Sequence, residues 1–359
     1  MPEFEPIKKK GGRKKKQTVA QSLFPCKGDG VGEVIRKIVF LLAILTLIGA
    51  TAVIIWFYFI RTDNLNKELE EIQSIRRPSS SDVISINMNI TNDDGTTEQK
   101  EVTMLEEYAG YYEANPDTVG YVEIYPWVGF PVVQTTDNDF YLKHNFYQQV
   151  TENGTIFADY EVPITADSMP ANTIIYGHNL LTRNMFEPLS YYRKGLTNQS
   201  GFEFFKDNYL VTFDTLYEKR QYLIFAVFLV NTTENWGEVF DYQNHVTFHS
   251  KREFDGFVSE CLDRSYYYTG INLEYGDELL TLSTCDFSAL SDMRLVVVAR
   301  KLRDGESPIL DTGTFIDNSG KDANGSFLRK MCDVYNQSYG NGKWAGRQWD
   351  TAWIKDFEG

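Results

Sequence analysis

Residues 38–60, IVFLLAILTLIGATAVIIWFYFI, run for 23 positions without a charge or a proline. As a helix rising about 1.5 Å per residue, such a run is about 34 Å long, enough for a bilayer hydrocarbon core of about 30 Å. A cleaved signal peptide has a shorter apolar region that ends in small residues. This one ends in Trp56, Phe57, Tyr58 and Phe59, an aromatic belt of the kind found at membrane interfaces. The run therefore reads as an uncleaved transmembrane anchor, and everything else must fold on one side of it or the other.

Charge assigns the sides. Residues 1–37 hold ten Lys/Arg against four Asp/Glu, with KKKGGRKKK and Arg36-Lys37 ahead of the span, while residues 62–359 hold 24 against 46. The positive-inside rule keeps the basic segment cytoplasmic and sends the acidic remainder outside. An outer part so acidic excludes nucleic acid as a partner, because phosphate binding needs a basic face. The outer part carries three of the four cysteines, Cys261, Cys285 and Cys332, and an odd count on an oxidising side leaves at least one free thiol. There is no C-x-x-C, and the histidines stand at no ligand spacing with cysteines or carboxylates, so no metal is expected.

Residues 61–103 read as a stalk: a polar helical stretch, NLNKELEEIQSIRR, broken by RPSSSD. From Met104, a short helix stopped at Asn115-Pro116 leads into short apolar runs, PVVQ, TIFADY, NTIIYGHN, LVTFDTL and YLIFAVFLV, separated by Gly, Asn and Pro. Many short strands without alternating long helices predict a closed or sandwiched antiparallel sheet. One helix interrupts them: in SKREFDGFVSECLDRS, Phe254, Phe257, Val258, Cys261 and Leu262 recur at helical spacing behind Ser250 as N-cap, which assigns Cys261 to core packing. After Arg303 the Asp-, Gly- and Ser-rich DGESPILDTGTFIDNSGKDANGS reads as a linker, followed by a stretch with Trp344, Trp349 and Trp353.

The chemistry concentrates in DELLTLSTCDFSALSDMRLVVVARK. Leu279 to Thr284 and Leu295 to Ala299 are short, apolar and bounded by polar residues, which predicts two buried strands joined as a hairpin. Antiparallel pairing sets Cys285 and Arg294 side by side at its facing ends. Each residue alone has a structural reading, as a buried thiol or a cation on a solvated rim. Together they place a nucleophile beside a fixed positive charge. His178, where a strand stops at Gly177, is the best placed of the four histidines to exchange a proton. A thiolate near arginine could attack a carbonyl, an imidazole could protonate the leaving amine, and a guanidinium suits an oxyanion. That is acyl transfer through a thioester, to water or to an amine.

TLSTC, the arginine heading RLVVVARK, and IYGHN upstream together resemble the class B sortases, membrane-anchored cysteine transpeptidases of Gram-positive bacteria. The resemblance runs through NPDTVGYVEI, PVVQTTDNDFYLKHNF, NGTIFADY, MFEPL and FDGFVSECLDRSYYYTGI, over roughly residues 104–303. The helix before the nucleophile strand separates class B from class A. The resemblance implies a mainly β fold, a closed eight-stranded barrel with a few short helices, preceded by one transmembrane helix. It further implies Cys285 as nucleophile, His178 as general acid/base and Arg294 as the substrate-positioning and oxyanion residue. Tyr176, Ser283 and Asp286 match positions lining the substrate groove, and Trp236 an aromatic of that groove. The implied partners are surface proteins or pilins bearing an NPxTN-like sorting signal, cut after threonine, with an amine of the peptidoglycan precursor lipid II, or a pilin lysine, as acceptor. No cofactor is implied. The reading from a different class is a non-catalytic surface-binding module in which Cys285 is incidental. The expected organisation is a basic cytoplasmic segment 1–37, a span 38–60, a stalk 61–103, a catalytic domain 104–303 and an extension 304–359 that departs from the family pattern and is expected to be dispensable for cleavage.

Overall fold

In the computed structural model the described residues are 19–78, 82–91, 96–161, 163–180, 184–233, 239–285 and 293–318. The chain divides into two units, Met1–Leu69 and Glu70–Gly359. After the short α1 (Val19–Leu23), α2 (Val31–Ile75) contains the apolar run, and its Val31–Trp56 portion is long and apolar enough to cross a membrane.

The stretch read as a stalk contains more than a helix. β1 (Val83–Thr91) and β2 (Thr97–Leu105) pair antiparallel from Val83↔Leu105 to Thr91↔Thr97. Ile84, Ile86 and Met88 alternate with Ser85, Asn87 and Asn89, the period of a strand with one apolar face, and Tyr217 reaches that hairpin with its hydroxyl 3.8 Å from the Met88 sulfur. The short helix α3 (Glu106–Ala114) follows directly. It carries Glu107, fully buried, which accepts hydrogen bonds from Arg76 Nε and Lys219 Nζ, each at 2.8 Å. Burial raises the Glu107 carboxyl, but the bonds from Lys219 and then Arg76 outweigh it and hold the group below its ordinary value. A carboxyl depressed in the folded state contributes stability above its unfolded value of about 4.3, lost as the pH falls through the folded value. Glu107→Gln is therefore expected to cost about 2 kcal/mol at neutral pH, less than for a pair buried on both sides because Arg76 and Lys219 keep some solvent. It should also flatten the acid limb of the melting temperature against pH below about 4.5. An acid limb as steep as in the wild type would contradict this.

Eight strands close into a barrel: β3 (Thr118–Ile124), β4 (Val128–Val133), β5 (Phe157–Ala158), β6 (Asn172–Tyr176), β7 (Leu210–Thr215), β8 (Gln221–Asn231), β10 (Leu279–Cys285) and β11 (Met293–Lys301). Their order around the ring is β10-β11-β8-β7-β3-β4-β5-β6, and closure leaves no edge unpaired. The sheet is not wholly antiparallel, as the strand pattern alone predicts: β4–β5 and β6–β10 run parallel. Parallel neighbours need long crossovers, and those between β6 and β10 hold the remaining helices α4 (Tyr191–Lys194), α5 (Gly201–Asp207) and α6 (Lys251–Arg264).

In α6 the Ser250 hydroxyl accepts from the Glu253 N–H at 3.2 Å, capping the helix, and its stripe of Phe254, Phe257, Val258, Cys261 and Leu262 joins Phe225 and Phe228 of β8 in one buried cluster. This explains why YLIFAVFLV lacks strand alternation: the barrel interior takes one face and α6 covers the other. The residues just after Arg303, read from composition as a linker, pack on the domain. Glu306 pairs with the fully buried Arg300, with contacts at 2.5 and 2.7 Å. Leu310 N–H donates to the Tyr209 hydroxyl at 3.0 Å, Phe315 is buried against Phe205 and Tyr209, and β12 (Ile316–Asp317) pairs with β9 (Tyr267–Tyr268). Two apolar anchors and one carboxylate suffice to dock a segment whose composition is that of a loop. Trp344, Trp349 and Trp353 lie outside the described residues.

Candidate active site

Two registers build the site. In the parallel β6–β10 pair, Tyr176 stands opposite Ser283, and the Gly177 N–H donates to the Ser283 carbonyl at 3.1 Å. His178 and Cys285 each lie two residues beyond that pair, on adjoining strands running the same way. In the antiparallel β10–β11 pair, Cys285 stands opposite Arg294, the pairing expected from the two apolar runs. Three residues far apart in sequence are thus brought to one end of the barrel.

His178 is half-buried, with Nε2 3.0 Å from the Leu142 carbonyl. A carbonyl oxygen only accepts, so Nε2 carries a hydrogen and Nδ1 is the nitrogen left to exchange a proton. Leu142 closes the 3₁₀ turn Phe140–Leu142. Gly154 gives the ring room: its φ is +59°, and a Cβ there would stand 2.7 Å from His178 Cδ2 and 2.7 Å from the Tyr141 carbonyl. Gly154→Ala is expected to displace the imidazole or its turn. Since a misplacement of about 1 Å can cost about 10²-fold in rate, we expect kcat to fall by about tenfold or more while the far-ultraviolet circular dichroism holds. Unchanged kcat would show that the ring does not depend on this glycine.

The groove beside His178 has a volume of about 250 Å³, and its walls include Asn138, Leu142, Tyr176, Ser283 and Arg294. Ser283 is buried, its hydroxyl 2.7 Å from that of Tyr242. The Tyr176 hydroxyl donates to Asp159 Oδ2 at 2.8 Å. Arg294 is half-buried and donates from Nη1 to the Met293 carbonyl at 3.1 Å, which fixes part of its fork. A larger cleft of about 590 Å³ lies where β6 and β10 begin, beside Ala171 and Glu278. It is walled by ion-paired side chains such as Arg220 and Glu278 and offers no thiol or imidazole, so the smaller groove is the one with chemistry. Cys261 is no rival nucleophile: it is wholly buried in the α6 cluster, and burial pushes its thiol well up. Among the described residues no group of three His, Cys, Asp or Glu could hold a metal ion.

Of the seven residues expected from sequence, Tyr176, His178, Ser283 and Arg294 share this groove, and Cys285 is placed by its register. Trp236 and Asp286 lie outside the described residues. Sequence reasoning missed Asn138, Leu142, Tyr242, Gln243 and Asp159. Asn138 and Leu142 fall in TTDNDFYL and Asp159 in TIFADY, both segments of the resemblance, but nothing in local periodicity says that they gather around this groove.

No family model matches the chain. It is similar to Sortase B of Listeria monocytogenes, 28% identical over 210 residues that make up 58% of this chain and 79% of that protein. It is 29% identical over 191 residues to Sortase B of Staphylococcus aureus, covering 53% of this chain and 72% of that one. Among solved structures, a Bacillus anthracis protein described as similar to sortase B aligns with a TM-score of 0.51 at 26% identity, over 67% of this chain and 96% of that chain. Sortase B from the same organism in complex with AAEK2 aligns with a TM-score of 0.50 at 26% identity, over 67% and 97%.

Proposed function

Because the chain is a class B sortase, a cysteine transpeptidase, we propose that it cuts an NPxTN-like sorting signal after threonine and joins the freed carboxyl group to an amine of the peptidoglycan precursor. The Cys285 thiolate attacks the threonine carbonyl and the C–N bond breaks. The leaving amine takes its proton from His178 Nδ1, and the acyl group remains on sulfur as a thioester. The incoming amine then attacks the thioester, returns a proton to Nδ1 and releases the thiolate. Arg294 holds the oxyanion in both steps with a planar fork of donors. Tyr176 and Ser283 line the groove for the signal peptide, and the motif resemblance adds Asp286 and Trp236 to the residues that bind it.

The observation that supports this reading is the double register, Tyr176 opposite Ser283 and Cys285 opposite Arg294, which brings a cysteine, a histidine and an arginine to one barrel end. The test is to incubate the full-length chain, in detergent, with an NPxTN-like peptide and hydroxylamine. A threonine hydroxamate and the released C-terminal fragment, read by mass spectrometry, are expected. Hydrolysis without capture by any amine would sink the transfer step.

The reading also places the apolar run in the cell membrane, with residues 1–37 inside and the catalytic domain outside, as the charge asymmetry supports. Protease added to intact cells is then expected to digest the domain after Arg61 and spare the lysine-rich start. Survival of the domain under those conditions would reverse the orientation.

A further inference from the structure

Asp159 stands behind the groove. It is 6% exposed, and its Oδ2 receives two side chains that line the groove, the Tyr176 hydroxyl at 2.8 Å and the Asn138 amide at 2.9 Å. Its Oδ1 accepts the Glu161 N–H at 3.0 Å. Its backbone carbonyl accepts from the Gln134 amide at 2.6 Å. Both carboxylate oxygens are therefore held, and the group cannot turn.

A carboxylate accepts and does not donate, which decides the direction of both bonds. The Tyr176 hydrogen is committed to Asp159, so its oxygen can offer the groove only lone pairs. Burial first, and then the charge of Asp159, pushes the Tyr176 phenol far above its ordinary range, so the hydrogen stays in place. The Asn138 amide is pinned from both ends, since its Oδ1 accepts the Tyr160 N–H at 3.2 Å. Gln243, on the groove wall, already donates to the Tyr176 oxygen at 3.4 Å, a long bond that a better-placed donor can displace.

We propose that Asp159 is a positioning residue that sets the polarity of the groove. By taking the Tyr176 hydrogen and one of the two Asn138 N–H groups it leaves, at the Tyr176 oxygen, an acceptor backed by negative charge, which selects a peptide residue bringing an N–H and rejects one bringing a carboxylate. The proposal rests on the reading of this groove as the seat of the sorting signal, and it names the side-chain chemistry read there. A peptide carboxylate over Tyr176 loses a hydrogen bond and meets a like charge, together of order 10²-fold in discrimination.

The test compares an NPxTN-like peptide with copies in which each asparagine in turn is replaced by aspartate. Cleavage is followed with the full-length chain, and affinity is measured on its Cys285→Ala form. The wild type is expected to prefer amide over acid at one position. Asp159→Asn should cut that preference about tenfold, mainly through KM for the amide peptide. Tyr176→Phe should cut it to a similar level, with Asp159→Asn adding nothing on top, as expected for two residues acting through one hydroxyl. Equal loss on amide and acid peptides, or additive effects of the two substitutions, would overturn the proposal. If Asp159→Asn does not fold, Tyr176→Phe decides alone, and an undiminished preference in that variant overturns it. Cleavage with an unchanged ratio in every variant refutes only the role of Asp159. A wild-type chain that neither binds nor cleaves any of these peptides refutes the substrate class proposed above, and this proposal with it.

Discussion

Cys285→Ala is expected to abolish both cleavage and transfer, because no thioester forms without the sulfur. The neighbouring positions should grade the loss by role. Arg294→Lys should lower kcat/KM by about 10²- to 10³-fold, since a point charge does not replace a planar fork aimed at a developing oxyanion. The ladder register opposite Cys285 leaves little latitude for a differently shaped cation to reach the same place. His178→Ala should lose most activity because the leaving amine then departs unprotonated, yet Cys285 should still react slowly with iodoacetamide. These three outcomes separate nucleophile, donor and proton carrier, and mass spectrometry of the peptide and of the acyl-enzyme reads all of them. Wild-type turnover in the Cys285→Ala chain would refute the mechanism. Full activity of Arg294→Lys would reduce that arginine to a structural role.

Removal of everything after Arg303 is expected to destabilise the catalytic unit by about 3–5 kcal/mol, the range for stripping one partner from a buried ion pair. Arg300 is fully buried on β11, and two of its guanidinium nitrogens bond Glu306. Nη1 also donates to the Lys301 carbonyl at 2.7 Å. The same cut also strips Phe315 from Phe205 and Tyr209. A chain ending at Asn318 keeps all of these contacts and should melt well above the one ending at Arg303. Glu306→Gln isolates the charge: the hydrogen bond from Arg300 holds this carboxyl below its ordinary value. Its contribution is therefore present at neutral pH and lost as acid takes the pH down through that lowered value. Thermal unfolding of the full-length protein, the two truncations and Glu306→Gln decides the matter, and equal melting of the chains ending at 303 and 318 would show that the segment contributes nothing.

The sequence was most legible where packing imposes a period or a boundary. The α6 stripe and its Ser250 cap could be read at single-residue level, and the two apolar runs of β10 and β11 were enough to pair Cys285 with Arg294. The β1–β2 hairpin left the same alternating signature but lay in a polar stretch that composition assigned to a stalk. Harder to see was the parallel union of β6 and β10, since crossovers as long as these carry no trace of which strands they bring together. His178 could therefore be singled out by its place at a strand end, while its association with Cys285 came from the motif resemblance and not from any period. Asp159 was invisible for a related reason. Its importance lies in hydrogen bonds to Tyr176 and Asn138, and an aspartate next to a two-residue strand looks like any turn residue. The class-level alternative of a non-catalytic binding module gives way to the sortase kinship, which makes the chain an enzyme.

The closure of the ring through β6 and β10 also sets a timetable. A ribosome delivers the histidine strand first and the cysteine strand, followed by β11, near the end of the domain. Through most of synthesis β6 has no β10 beside it, and His178 is on the chain long before Cys285. Under the mechanism proposed above, the growing chain is chemically silent, and acyl transfer begins only when the last two strands seat. Maturation and activation are then one event, completed by the pairing of β6 with β10 and of β10 with β11.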